Sequence, residues 1–161
     1  RPPGERRVLW GGVLAGVGLG GFFDGIVLHQ ILQWHHLLSS RYPATTVAGL
    51  ELNTLADGLF HAGTYLFTVL GLFLVWSVAR RRQTSWPTSL LVGLLLIGWG
   101  LFNLVEGLVD HHLLGLHHVR PGPDQLAWDL GFLAWGALML GLGWVLARTG
   151  FREAARRADS P

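Results

Sequence analysis

Two segments of this 161-residue chain, DGIVLHQILQWHH (Asp24–His36) and EGLVDHHLLGLHH (Glu106–His118), set a carboxylate ahead of histidines at the same intervals. Imidazole with carboxylate is a donor set that suits Fe, Zn, Mn or Cu(II), whereas Cu(I) handling usually draws on Cys or Met. Cysteine is absent and there is one Met, so the pattern points to a His/carboxylate centre for a transition-metal ion, with Fe, Cu and Zn all admissible. The ligand candidates on these segments are Asp24, His29, His35 and His36, then Glu106, Asp110, His111, His117 and His118. ADGLFH (Ala56–His61) adds Asp57 and His61 at i and i+4, and Asp129 supplies a carboxylate further on, with Leu133 where a matching His would stand. Carboxylates from several helices with histidines alongside are how di-metal sites are built in helical bundles, so the centre is expected to hold one ion or two. No Ser/His/Asp arrangement competes with it.

On a helix at about 100° per residue, His35 falls on the face of Asp24 and His117 on that of Glu106. His29 with His36, and His111 with His118, then form separate pairs seven residues apart. Twelve residues of helix between Asp24 and His36 span about 18 Å, which puts the acids near mid-membrane and the last histidines at an interface. A plainer reading stands beside this one. His35, His36, His117 and His118 can serve as interfacial anchors like Trp34, and Asp57 with His61 as a hydrogen-bonded pair. His112 has Gln30, not a His, at its matching position.

The elements that must position these groups are apolar. Half of the residues are hydrophobic and 14% are charged, against about 25% in soluble chains, and the mean hydropathy is +0.40. Four stretches, Val8–Leu28, Leu55–Val78, Ser89–Val109 and Leu126–Leu146, each approach the ~20 residues that cross a bilayer as helix. The expected fold is an all-α integral membrane protein, a four-helix bundle in a single membrane domain. No short apolar core ends in a small-residue cleavage site, so the first span is expected to stay in the bundle and not to be a cleaved signal.

All twelve basic residues are Arg. Arg1, Arg6, Arg7, Arg80, Arg81, Arg82, Arg148, Arg152, Arg156 and Arg157 gather at one set of span ends, and Arg41 and Arg120 lie at the other. The positive-inside bias then puts both termini in the cytoplasm of a bacterial cell, with the chain in the inner membrane. The net charge of +2 and the pI of 9.9 are thereby explained as topogenic, and nucleic acid is set aside as a partner.

The two segments belong to a longer internal likeness. Residues 11–36 and 93–118, 82 apart, share eleven identities, among them Gly11 with Gly93, Gly16 with Gly98, Gly25 with Gly107 and the His29/His111, His35/His117 and His36/His118 pairs. Residues 55–75 and 127–147, 72 apart, share seven, including Asp57 with Asp129 and Phe60 with Phe132. The expected organisation is therefore two duplicated helical hairpins in parallel, about 8–80 and 88–148, with a polar tail at 149–161. Packing alone accounts for the matched glycines; it does not account for a carboxylate and three matched histidines per half, since ionisable groups inside a membrane usually mark function.

GFFDGIVLHQILQWHH (Gly21–His36), ADGLFH (Ala56–His61) and NLVEGLVDHHLLGLHHVR (Asn103–Arg120) together resemble a bacterial four-span membrane family catalogued as a domain of unknown function. The likeness runs from about Trp10 to Leu146. It implies the four-span fold and the bacterial inner membrane, and it carries no reaction. Function therefore rests on the site: a membrane metalloprotein, with redox or oxygen-linked chemistry preferred over hydrolysis. The alternatives are metal transport, or a chaperone or assembly role toward a respiratory complex, for which a homodimer is the expected partner arrangement. Beyond those stand b-type haem binding and proton conduction without a metal.

Overall fold

The computed structural model describes residues 4–80 and 86–158. Arg1, Arg81 and Arg82 lie outside them. The described residues form helices and connecting segments: α1 (Glu5–Phe23), a π-helix over Asp24–Ile31, α2 (Val47–Ala79), α3 (Thr88–Glu106), a second π-helix over Gly107–Leu113, and α4 (Gln125–Ala158). Four continuous helical runs, Glu5–Ile31, Val47–Ala79, Thr88–Leu113 and Gln125–Arg157, are long and apolar enough to cross a membrane. α2 begins at Val47, eight residues before the expected span at Leu55, because Thr46 caps it by accepting from the Gly49 N–H at 3.1 Å. α4 runs through the polar tail to Ala158 without a break.

Lipid tails are as apolar as leucine, so membrane helices associate by close fit of small residues. α1 and α3 form the central pair and meet at Gly16 and Gly98. A Cβ on Gly16 would lie 2.2 Å from Leu95 O, and one on Gly98 would lie 2.0 Å from Val13 O. α2 packs on α1 and α4 on α3, while the backbones of α2 and α3 stay apart and Phe60 meets Phe102 between them at 6.0 Å. Gly11 meets Gly71 in the first of these contacts and Gly93 meets Gly143 in the second. At the end where α1 and α3 begin, Val8, Val78, Leu90, Leu94 and Ala147 close an apolar core. The polar residues bury themselves at the opposite end.

The π segments change what the sequence spacing means. Each closes on an N–H to carbonyl bond five residues back, Leu32 to Val27 at 2.8 Å and Leu114 to Val109 at 2.7 Å. Residues i and i+5 are thereby stacked one turn apart, where an α-helix would separate them by roughly 140°. That aligns Asp24 with His29 and Glu106 with His111. Gln33 (φ 49°) and Gly115 (φ 56°) then turn the chain back in the left-handed region. His35, His36, His117 and His118 therefore lie off the helices and fold back toward the acids. The expected α-helical wheel and the separation of about 18 Å are corrected accordingly. Gly115→Ala is expected to destabilise by about 1 kcal/mol, because a Cβ is disfavoured there. Gln33→Gly removes the same conflict and is expected not to destabilise. Unfolding midpoints of detergent-solubilised protein check both.

Candidate metal centre

Asp24, His29, His35, Glu106, His111 and His117 converge at the wide-turn end of the α1/α3 pair, each at most 5% exposed. The π stacking brings His29 Nε2 to 3.0 Å from Asp24 Oδ2 and His111 Nε2 to 2.9 Å from Glu106 Oε1. The chain reversals deliver the other two imidazoles. His117 Nε2 sits 2.7 Å from Glu106 Oε1, and His35 Nε2 lies 4.0 Å from Asp24 Oδ1. The His35 and His117 rings stack at 4.5 Å with 14° between their planes.

The far side of three of the four rings is held by an acceptor. His35 Nδ1 donates to Val119 O at 2.8 Å and His117 Nδ1 to Leu37 O at 3.1 Å, each reaching across to the other half of the chain. His29 Nδ1 donates to Asp57 Oδ1 at 2.9 Å, while His111 Nδ1, 3.5 Å from Asp129 Oδ1, is buried without a hydrogen bond. With Nδ1 as the N–H, the Nε2 atoms of His29 and His35 present lone pairs to the centre; these tautomers are assigned here from the partners. Burial, reinforced by the neighbouring imidazoles of His117 and His29, pushes His35 down to about 2, so it stands neutral.

Lone pairs facing carboxylate oxygens repel unless a proton or a cation lies between them. The Nε2 atoms of His29, His35 and His111 are buried with no hydrogen-bond partner, as are Asp24 Oδ1 and Glu106 Oε2. For His29 and His111 the nearby carboxylate is within reach but not aligned as a hydrogen bond. Buried polar atoms are nearly always satisfied, and these share one small volume. Two triads, His29/His35/His117 and Glu106/His111/His117, keep their donor atoms within 4.8 Å of one another, which is the spacing that can hold a metal ion. His117 belongs to both.

The remaining sequence candidates take other places. Asp57 accepts from His29, from His36 Nδ1 at 2.7 Å and from the Leu37 N–H at 2.9 Å. Asp129 accepts from His118 Nδ1 at 2.7 Å and from the Val119 N–H at 3.0 Å. These two acids tie the reversals to α2 and α4, and His36 and His118 sit at the rim. His61 donates Nδ1 to the Asp57 backbone carbonyl at 2.7 Å, not to its carboxylate, and lies outside both triads. Asp110 is half-buried beside Glu106 outside the triads, and His112 is exposed.

Sequence reasoning missed four contributors. The Leu37 and Val119 carbonyls carry no side-chain signal. Asn53, fully buried, holds the first reversal by accepting from the Leu38 N–H and donating to Tyr42 O. Arg120 lies over the rings of Trp34 and Trp128 at 5.2 and 5.6 Å, next to the carbonyl that orients His35. Phe60 stacks on His29 at 5.8 Å and Phe132 packs against His111 at 5.3 Å, and that matched pair was visible in the sequence.

The chain belongs to a family described as predicted membrane protein (DUF2243), whose pattern matches residues 11–150. No curated protein and no solved structure matches the chain.

Proposed function

We propose that this member of the DUF2243 membrane family is a metalloprotein. Its centre holds one or two transition-metal ions between Asp24, His29, His35, Glu106, His111 and His117. The observation that carries the reading is the cluster of buried Nε2 and carboxylate oxygen atoms without hydrogen-bond partners, beside rings of His29, His35 and His117 that are each oriented by an acceptor on Nδ1. Metal-bound histidines almost always hand their other N–H to a carboxylate or a carbonyl in this way, and both kinds of acceptor occur here. Neither Lys nor Arg stands among the groups paired with these acids. A bound ion supplies the positive charge they lack.

Three further parts of the reading rest on the same residues. The matched contacts 82 and 72 positions apart support an origin by duplication of a helical hairpin. Described Arg residues cluster at the end away from the centre, which supports cytoplasmic termini and a centre in the extracytoplasmic half of a bacterial inner membrane. Redox or oxygen-linked chemistry is preferred, since imidazole with carboxylate suits iron and Cu(II). Conduction of protons or ions across the membrane is disfavoured by the apolar core at the other end of the bundle. Haem held between His35 and His117 is disfavoured by their stacking, which leaves no gap for a macrocycle.

Protein purified without chelator is expected to carry at least one equivalent of a transition metal by mass spectrometry. Less than about a tenth of an equivalent, after reloading with Fe, Cu and Zn in turn, sinks the proposal. Asp57→Asn weakens the acceptor of two imidazoles and is expected to lower metal affinity about 10–100-fold, read by chelator competition.

A further inference from the structure

A groove of about 360 Å³ runs between α2 and α3 over α1, walled by apolar side chains that include Val17, Phe60, Phe102 and Val105. Its only carboxylate-bearing linings are Glu106 and Asp110, neighbours one turn apart on the second π segment and its start. The backbones of α2 and α3 stay apart, with Phe60 and Phe102 meeting across the gap at 6.0 Å between ring centroids, so the groove opens sideways at membrane depth, and Val105 is 60% exposed at its mouth. Glu106 is 5% exposed, and its Oε2 has no hydrogen-bond partner.

The matching position in the other half of the chain is built differently. Val17 and Val105 align with Trp99 and Phe23, whose rings meet at 5.4 Å. Trp99 lies against Gly20, which takes the place of Phe102. Asp110 aligns with Leu28. One flank is thus plugged by an aromatic pair and lacks the second acid. The other is open, apolar and acid-tipped. A symmetric packing requirement gives no reason for that difference; a ligand that uses one flank does.

We propose that this groove admits, from the hydrocarbon, an amphiphile with an aromatic hydroxyl head, of the alkylphenol or hydroquinone class, whose hydroxyl donates to Asp110, beside Glu106 of the centre. The apolar walls select a membrane-dissolved tail, and the volume suits one ring with a short stretch of tail. The Asp110 carboxylate at the acid tip of the groove selects a donor head. This deepens the metal-centre reading, on which it rests for the role of Glu106, by naming the class of substrate presented to that centre.

The test is photolabelling of the whole protein in lipid nanodiscs by a diazirine-bearing alkylphenol and by its O-methyl ether, with metal content measured on the same samples. Labelling by the phenol is expected at residues of α1, α2 and α3 along the groove, about tenfold above the ether, the worth of one hydrogen bond to a charged acceptor. Asp110→Leu, copying the other flank, is expected to bring the phenol down to the level of the ether. Val17→Trp with Val105→Phe, copying the plug, is expected to abolish labelling by both probes while metal per chain stays at the wild-type level. Equal labelling by phenol and ether in the wild-type protein marks a seat for lipid tails and overturns the proposal, as does phenol labelling that survives in Asp110→Leu. Wild-type protein that labels as expected but binds no metal sinks the metal-centre reading and leaves the groove standing.

Discussion

Replacing His117 by Ala is expected to remove bound metal almost completely. His117 is the one residue shared by both triads, it is fully buried, and its Nε2 is the donor closest to Glu106, at 2.7 Å. Loss of a residue that merely orients a ligand lowers metal affinity about 10–100-fold; loss of a shared ligand should exceed the top of that range. The substitution also frees Leu37 O, whose donor is His117 Nδ1 at 3.1 Å, so the reversal after the first π segment loosens as well. His117→Gln, which keeps much of the volume and a donor, separates the two effects: it should fold like wild type and still bind no metal. His61→Ala and His112→Ala, outside both triads, are expected to retain full metal content. Metal-to-protein ratios for the four variants decide the matter, and wild-type loading of His117→Gln would remove this residue from the centre.

The residue types of the centre were legible in the sequence, and their arrangement was not. Asp24, His29 and His35 and their counterparts stand out because ionisable groups inside an apolar span are costly unless paired. The apolar spans themselves follow from length and composition, and each recurs within a helix, although the second helix starts eight residues early at Val47 and the fourth runs eleven residues further, to Arg157. What failed was the assumption of an α-helical period through Asp24–His36. The i, i+5 spacing of Asp24 to His29 and of Glu106 to His111 was the available clue, since it matches the π-helical hydrogen-bond step and π turns frequently mark functional sites. Gln33 hid the first reversal, because a non-glycine residue at φ 49° gives no turn signal, whereas Gly115 at the matching position does. The supporting carbonyls of Leu37 and Val119 were out of reach of any residue-type argument, for every residue carries one.

Gly98→Leu is expected to be the most disruptive single change that touches no candidate ligand. A Cβ at this position would lie 2.0 Å from Val13 O and 2.8 Å from the Gly16 Cα, both backbone atoms that no rotamer change can move aside. Overpacking typically costs about 1–3 kcal/mol and occasionally more. Here relief requires α1 and α3 to separate, so the upper end of that range or beyond is expected. The same pair of helices carries the two halves of the centre. Gly98 precedes Glu106 by eight residues, about 12 Å along the axis, close enough that parting the helices at the crossing also parts His35 from His117. Metal content should therefore fall together with the unfolding midpoint, although every donor atom remains in the chain. Gly131→Leu is the matched control: a Cβ there meets nothing within 4 Å, and its effect should stay within about 0.5 kcal/mol. If Gly98→Leu instead keeps its metal at a lowered midpoint, the two halves converge through the reversals and their crossed carbonyl bonds, and the crossing serves stability alone.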